Sequence, residues 1–564
     1  MSQEETTRTD GALFTSTGAD GAIARIFMNG AGVAPETVAR RPVIGIAAGM
    51  SDLVPCNLNH AALVAAAKRG IIAAGGWPVE FPTIALGEPF VRPTTMMLRN
   101  LLAMDVEEMI SGSPIDGVLL VGGCDKTVPA QLMGAISAGR PAMQVVSGPR
   151  AEAMCLGRRR SIDDLWPLLD ERRSGLLDED QWDEVERRLN PGVGTCNVLG
   201  TASTMAMMSE VLGFALPGSS LAPATSGERL ALAERTGAAL VERTRAGVSP
   251  ADLVTKESIE NAHRVLAAVS GSTNAIIHLR AIAGRAGIPI NWEELDAWFR
   301  STPIVARVKP SGPDSLERFE RAGGVPAVLS ALGDLAHLDA LSVGATWREV
   351  LAASSDADPG VISSQGDSGA VVLLRGSLAP EGAVLKRAAA DPRLWQHTGP
   401  AVVFSGVSDL HARIDDPALG ITADSVLVLT GAGPVGGPGM PEVGQLPIPR
   451  RLLAAGVRDM VRISDARMSG TATGCCILHV TPESAVGGPL GLVRDGDLIR
   501  LDAVAGTLDL LVDDAVLASR RAEREPRRRG ARRGYAALHD AHVLQADLGA
   551  DLDFLVAEGA EGEG

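Results

Sequence analysis

Six consecutive residues, Gly122-Gly123-Cys124-Asp125-Lys126-Thr127, place a thiol, a carboxylate, an amine and a hydroxyl side by side. Thiolates suit soft or borderline metals, and carboxylates suit hard cations. The same residues also fit a packed core cysteine beside a solvated Asp-Lys pair. On its own, the segment leaves both readings open.

Three other stretches are as dense in chemistry. Gly192–Met205 contains Cys196 in a glycine-rich loop, with a helix expected just after it, so its thiolate would gain from the helix dipole. Ser270-Gly271-Ser272-Thr273-Asn274 is a small polar loop leading into a helix that carries His278. Ile463-Ser464-Asp465-Ala466-Arg467-Met468-Ser469-Gly470-Thr471 holds Ser469 outside any nucleophile elbow, with no histidine placed as its base. Ser469 is therefore either a turn serine or a base activated by a nearby metal. Gly431-Ala432-Gly433-Pro434-Val435-Gly436 satisfies G-x-G-x-x-G, but Pro434, Pro438 and Pro441 exclude the helix that a dinucleotide site requires. That loop instead presents Glu442 in a rigid Gly/Pro frame.

The elements that must position these residues follow from periodicity. Residues 42–48, 79–82, 115–121 and 142–146 read as short buried strands. Helical patterns separate them, from Asn59 to Gly75, near Thr95–Met104, and from Pro129 onwards with Thr127 or a neighbour as cap. Alternation of this kind predicts an α/β fold with a parallel sheet covered by helices on both faces. Its ligands belong at the carboxyl ends of the strands. Residues 157–190 read as charged surface helices without catalytic candidates. Beyond about residue 370, β-rich pieces at 370–374, 401–404, 426–429 and 498–501 predict a smaller barrel-like domain. The expected division is an arm at 1–40, an α/β domain at 41–365, and a β-rich domain at 366–564 carrying Ser469. The arm reads as loosely ordered, and residues 557–564 as a disordered tail.

Bulk properties narrow the function. The 564 residues exceed one ordinary core, and 46% hydrophobic with 21% charged residues fit a globular protein. A net charge of −16 argues against nucleic-acid or membrane-surface partners. The basic run from Arg520 to Arg533 reads as a solvated or inter-subunit face. The polar amino terminus and the lack of a long apolar run lead to an expectation of a cytoplasmic protein. Six cysteines without a C-x-x-C pair do not suggest a disulfide framework, so any cluster ligands must come from distant loops.

Taken together, PCN (55–57), GGCDKT (122–127), GTCNVLGTASTM (194–205), GSTNA (271–275), GPGMPE (437–442) and DARMSGT (465–471) resemble the dihydroxy-acid and sugar-acid dehydratase family. The resemblance spans most of the chain from about residue 40. It implies a [2Fe-2S] cluster on Cys56, Cys124 and Cys196, with one iron left open to substrate. It also implies Mg²⁺ on Glu88, Asp125 and Glu442, with Lys126 carbamylated into a further oxygen ligand. Ser469 would be the general base, and Thr471, Ser272, Thr273 and Asn274 would contact substrate hydroxyls. A homodimer or homotetramer is implied as well.

The segment after Cys196 is similar to the sugar-acid branch, which acts on pentonates or hexonates. The alternatives are a dihydroxy-acid dehydratase of branched-chain amino-acid synthesis and an iron–sulfur sensor without turnover. Ala47–Asp52 and residues 157–190 depart from the family pattern, both at loops expected to face substrate.

Overall fold

The computed structural model describes residues 11–557 except 39, 355–356, 365, 444–445 and 525–532. Its N-terminal half is built on four parallel strands: β1 (Val43–Ala48), β2 (Trp77–Pro82), β3 (Gly117–Gly122) and β4 (Ala142–Val146), ordered β2-β1-β3-β4. Helices α1 (His60–Ala73), α2 (Thr95–Gly112) and α3 (Thr127–Ala138) follow the first three strands in turn. After β4 come α4 (Leu165–Arg173), α5 (Thr201–Val211), α6 (Gly227–Ala246) and α7 (Asn274–Arg285).

Alternation along the strands assigns the two faces. Ile44, Ile46, Leu119 and Val121 pack with residues of α1 and α6, including Leu63, Ala67 and Leu240. Val43, Ala47, Val118 and Leu120 face the other way, toward Leu102 and Val106 of α2 and Leu132 of α3. Both faces are buried, so β1 and β3 read as continuous apolar runs. β2 lies at the edge, where Pro78 and Pro82 cost no ladder hydrogen bond.

The C-terminal half is a closed eight-stranded barrel. Its strands are β5 (Val372–Gly376), β6 (Ala379–Leu385), β7 (Gln396–Ser405), β8 (Val426–Thr430), β9 (Arg462–Ser464), β10 (Cys476–Thr481), β11 (Leu498–Asp502) and β12 (Thr507–Leu510). They close in the order β8-β9-β10-β6-β5-β12-β11-β7 around Leu374, Val428, Ile463, Ile477, Leu501 and Leu508. The expected α/β half and barrel are therefore both present.

Some local expectations need correction. The arm is not loose throughout: a helix covers Ala19–Gly30, and Phe14 is buried with its ring edge-on to Trp77, centroids 5.5 Å apart. Arg25 Nη1 ties this segment together by donating to the carbonyls of Phe14 and Ser16, both at 2.8 Å. Thr127 does not cap α3; Lys126 takes the cap position, and the buried Thr127 hydroxyl has no partner among the described residues. In the basic run, Arg520 is paired with Asp497, while residues 525–532 lie outside the described residues. Residues 558–564 of the expected tail also lie outside them. Among the described residues, no helix is long and apolar enough to cross a membrane.

Candidate active site

All four parallel strands feed one place. The loop after β1 carries Cys56, the loop after β2 carries Glu88, β3 leads into Cys124-Asp125-Lys126, and β4 leads to Arg150. The parallel bridge between Pro149 and Thr195 brings Cys196 alongside. The barrel supplies Glu442 and Arg467, themselves joined by a parallel bridge, and Ser469 two residues further on.

Lys126 is the centre of the carboxylate group. Its Nζ lies 2.9 Å from Glu88 Oε2, 3.0 Å from Glu442 Oε1 and 3.6 Å from Asp125 Oδ2, with its side chain wholly buried. A second buried cation, Arg467, donates from Nη1 to Glu442 Oε1 at 2.8 Å, and its Nη2 lies 3.9 Å from Glu88 Oε1. Asn274 Nδ2 also donates to Glu442 Oε1, at 3.1 Å. Thr94 donates to Glu88 Oε1 at 3.0 Å, and the Thr95 hydroxyl bonds the other Glu88 oxygen.

The electrostatics follow from three partly buried acids sharing two buried cations. Burial opposes ionisation of Glu88, but Lys126 and Arg467 outweigh it and hold its carboxyl below the usual range. Burial, reinforced by Glu442 and Glu88, pushes Asp125 up to about 6 despite Lys126. Burial and Arg467 disfavour a charge on Lys126, yet Glu442, Glu88 and Asp125 together raise its pKa above the ordinary value. Lys126 is thus an ammonium held by acids. Among the described residues, no three His, Cys, Asp or Glu side chains are grouped as a metal site by themselves. The place where three carboxylates converge is taken by the ammonium. The donors are all oxygen and carry excess negative charge, which fits a hard divalent cation once the lysine nitrogen is neutralised.

The three predicted cysteines are neighbours. The adjoining Cys124 thiol, burial and Cys196 push the Cys56 thiol well up from its ordinary value. Burial, then Asp125, pushes Cys196 up to about 12. The helix expected just after it, α5, starts at Thr201, five residues beyond Cys196, too far for its dipole to act on the thiol. Arg150 supplies the local positive charge, with Nη2 3.8 Å from Cys56 Sγ while it also donates to the Gly194 carbonyl at 2.8 Å. Three free thiols beside a guanidinium fit an iron-containing group that would hold them as thiolates. Cys124 itself adopts a left-handed backbone, φ 63°, unusual for a residue with a Cβ.

The remaining predicted residues fall into two sets. Ser469 Oγ is 2.9 Å from Thr471 Oγ1. Ser272 Oγ is 3.0 Å from Thr201 Oγ1, which accepts from Asn274 Nδ2 at 3.0 Å. Asn274 Nδ2 further reaches the Met468 carbonyl at 3.1 Å, so it links the polar loop, Glu442 and the barrel strand end. Thr273 gives its carbonyl to the first turn of α7 and makes no hydrogen bond to the carboxylates among the described residues. Gly470 permits this approach: a Cβ there would lie 2.7 Å from both Ser272 Oγ and Thr201 N.

Residue-type reasoning gave no role to Arg467, Arg150, Thr94 or Trp166. Arg467 stood inside a quoted motif, and its charge among small and apolar neighbours was the available signal. Trp166 Nε1 donates to Thr471 Oγ1 at 2.8 Å, from a segment that offered no chemistry on sequence alone.

The family model described as dihydroxy-acid/6-phosphogluconate dehydratase N-terminal matches residues 41–350, and its C-terminal counterpart matches 361–550. A 6-deoxy-6-sulfo-D-gluconate dehydratase of Pseudomonas putida is 46% identical, covering 93% of this chain and 92% of its own. An L-arabinonate dehydratase of Rhizobium leguminosarum bv. trifolii is 43% identical, with 91% and 90% covered. A dihydroxy-acid dehydratase of Methanoregula boonei is 37% identical, with 91% and 94% covered. With both halves matched and relatives similar over nine-tenths of their length, the chain belongs to the dihydroxy-acid/6-phosphogluconate dehydratase family, a family of hydro-lyases.

Proposed function

We propose that this enzyme dehydrates a sugar acid, a pentonate or hexonate, to the 2-keto-3-deoxy acid. The observation that carries the reading is the convergence of Glu88, Asp125 and Glu442 on Lys126, beside three free cysteines and Ser469. Cys56, Cys124 and Cys196 would hold the [2Fe-2S] cluster; Glu88, Asp125, Glu442 and carbamylated Lys126 would hold Mg²⁺. When bound, these groups would supply Lewis acidity for the leaving hydroxyl and positive charge for the substrate carboxylate.

The chain's own residues do the rest. Ser469 Oγ takes the C2 proton as general base. The C3–O bond breaks, the proton taken by Ser469 goes to the departing hydroxyl, which leaves as water, and the enol formed between C2 and C3 tautomerises to the 2-oxo acid. Thr471 faces Ser469 and supports its oxygen. Asn274 and Arg467 fix the carboxylate of Glu442 from two sides, so its orientation does not depend on substrate. Ser272 and Thr201 offer hydroxyls to the polyol chain.

The sugar-acid relatives at 43–46% identity favour this substrate class, whereas the dihydroxy-acid dehydratase at 37% keeps the branched-chain reading as the second one. A cluster-only sensor would need the cysteines but not the carboxylates or Ser469. The test uses anaerobically purified, cluster-loaded protein with a panel of aldonates and 2,3-dihydroxyisovalerate. Formation of 2-oxo acid from aldonates alone is expected; formation only from the dihydroxy acid refutes the sugar-acid assignment. Ser469→Ala should retain the cluster absorbance and lose turnover.

A further inference from the structure

Trp166 sits on α4, where its ring packs against Met468, Ala472, Cys476 and Leu478. The helix is tied to both halves of the molecule. Just before it, Ile162 N donates to Asn197 Oδ1 at 3.0 Å, next to Cys196; at its far end, Arg173 donates to Asp415 at 3.3 Å. Within this brace, Trp166 Nε1 donates to Thr471 Oγ1 at 2.8 Å, and Thr471 Oγ1 lies 2.9 Å from Ser469 Oγ.

The first link of this chain has a fixed direction, and it biases the second. An indole N–H can only donate, whereas a hydroxyl has one proton and two acceptor lone pairs. With one lone pair taken by Trp166, the Thr471 proton is free to point at Ser469. The Thr471 backbone N–H, 3.4 Å from Ser469 Oγ, approaches from the same residue. Two donors facing one oxygen favour its anionic form over the hydroxyl. Without the indole, both lone pairs of the Thr471 hydroxyl are open to accept from Ser469; with it, one is filled, and an ionised Ser469 can only be met by the Thr471 proton.

We propose that Trp166 is a positioning residue that acts through Thr471, orienting its hydroxyl proton toward Ser469 and so preparing Ser469 to accept the substrate's C2 proton. The inference rests on the reading of Ser469 as the base. It also gives the 157–190 segment a part in the reaction beyond covering the surface.

The experiment is a double-mutant cycle on the cluster-loaded enzyme, using an aldonate that the wild type turns over. Trp166→Phe keeps the ring packing and removes the N–H. It should lower kcat about tenfold, as expected for loss of one oriented hydrogen bond, with KM within about twofold. Thr471→Val should be slower still, and the double variant no slower than Thr471→Val, because Trp166 acts through Thr471. Trp166→His, which retains a ring N–H, should recover part of the rate. Multiplying losses in the double variant, a rise in KM alone, or wild-type kcat in Trp166→Phe would each overturn the inference. Ser469→Ala separates the layers. An inactive Ser469→Ala beside a fully active Trp166→Phe refutes only the role of Trp166, whereas turnover by Ser469→Ala overturns both.

Discussion

Replacing Arg467 by methionine removes one of two buried cations from a cage of three carboxylates. The guanidinium is wholly buried, with Nη1 at 2.8 Å from Glu442 Oε1, Nε donating to the Met440 carbonyl at 2.8 Å, and Nη2 donating to Thr94 Oγ1 at 3.2 Å. An ion pair near contact, at an effective dielectric of about 20, is worth roughly 4 kcal/mol. Removing one member of a buried pair typically costs about 3–5 kcal/mol, since the partner is left buried and uncompensated. Both routes give the same size. Arg467→Met in the metal-free protein, the state in which Lys126 is an ammonium, should therefore lose about 3–5 kcal/mol of stability. Urea unfolding followed by tryptophan fluorescence would show it as a lower midpoint at unchanged slope. Glu442→Gln in the same chain removes the surplus charge and should return at least about 1.5 kcal/mol of coupling. A loss below about 1 kcal/mol, or additive effects of the two substitutions, would refute the charge-balance reasoning.

Other outcomes follow from the same geometry. Lys126→Arg keeps the positive charge but cannot form a carbamate, so titration calorimetry should detect no Mg²⁺ binding; near-normal affinity would remove Lys126 from the ligand set. Gly123→Ala would put a Cβ 2.2 Å from Ser147 Oγ and 2.8 Å from Asn57 Oδ1. The loop carrying Cys124 must then shift, at about 1–3 kcal/mol, and the iron content of purified protein should fall; wild-type iron loading contradicts this. Burial lowers His60 and His263 to about 4 and His479 to about 3. Their unfolded value is near 6.5, so the unfolded chain binds more protons below it. Each histidine's contribution is present above pH 6.5 and is lost as pH falls, by about 2 kcal/mol at pH 5. Melting temperature should drop across that interval, and a flat profile would show that these rings are not held neutral.

Much of the α/β half could be read from the chain because its strands are buried on both faces and its loops carry unusual side chains. β1, β3 and β4 lie close to where apolar runs place them. The barrel was legible only in outline. β6 contains Pro380, Glu381 and Gly382, residue types that disfavour a strand, and β9 spans only Arg462–Ser464. Closure of the ladder, and not local propensity, makes these segments strands. Within the site, local sequence singled out Asp125 and Glu442, whereas Glu88 came only through family resemblance, since nothing local distinguishes it from any loop glutamate. Trp166 and Thr471 are 305 positions apart, so no pattern in the chain could join them. The raised thiol of Cys196 was likewise hidden, because burial and the nearby Asp125 depend on tertiary packing.

The seam between the two halves has a consequence for how the protein comes into being. Glu442 meets Lys126 across 316 positions, and Arg467 reaches the cage from still later in the chain. A nascent polypeptide that has finished only its parallel sheet would hold Lys126 against Glu88 and Asp125 alone, without Glu442, Arg467 and the proposed base Ser469. On the proposed mechanism, reactivity is thus interlocked with completion, because the sheet half alone lacks both the proposed base and one of the three carboxylates around Lys126.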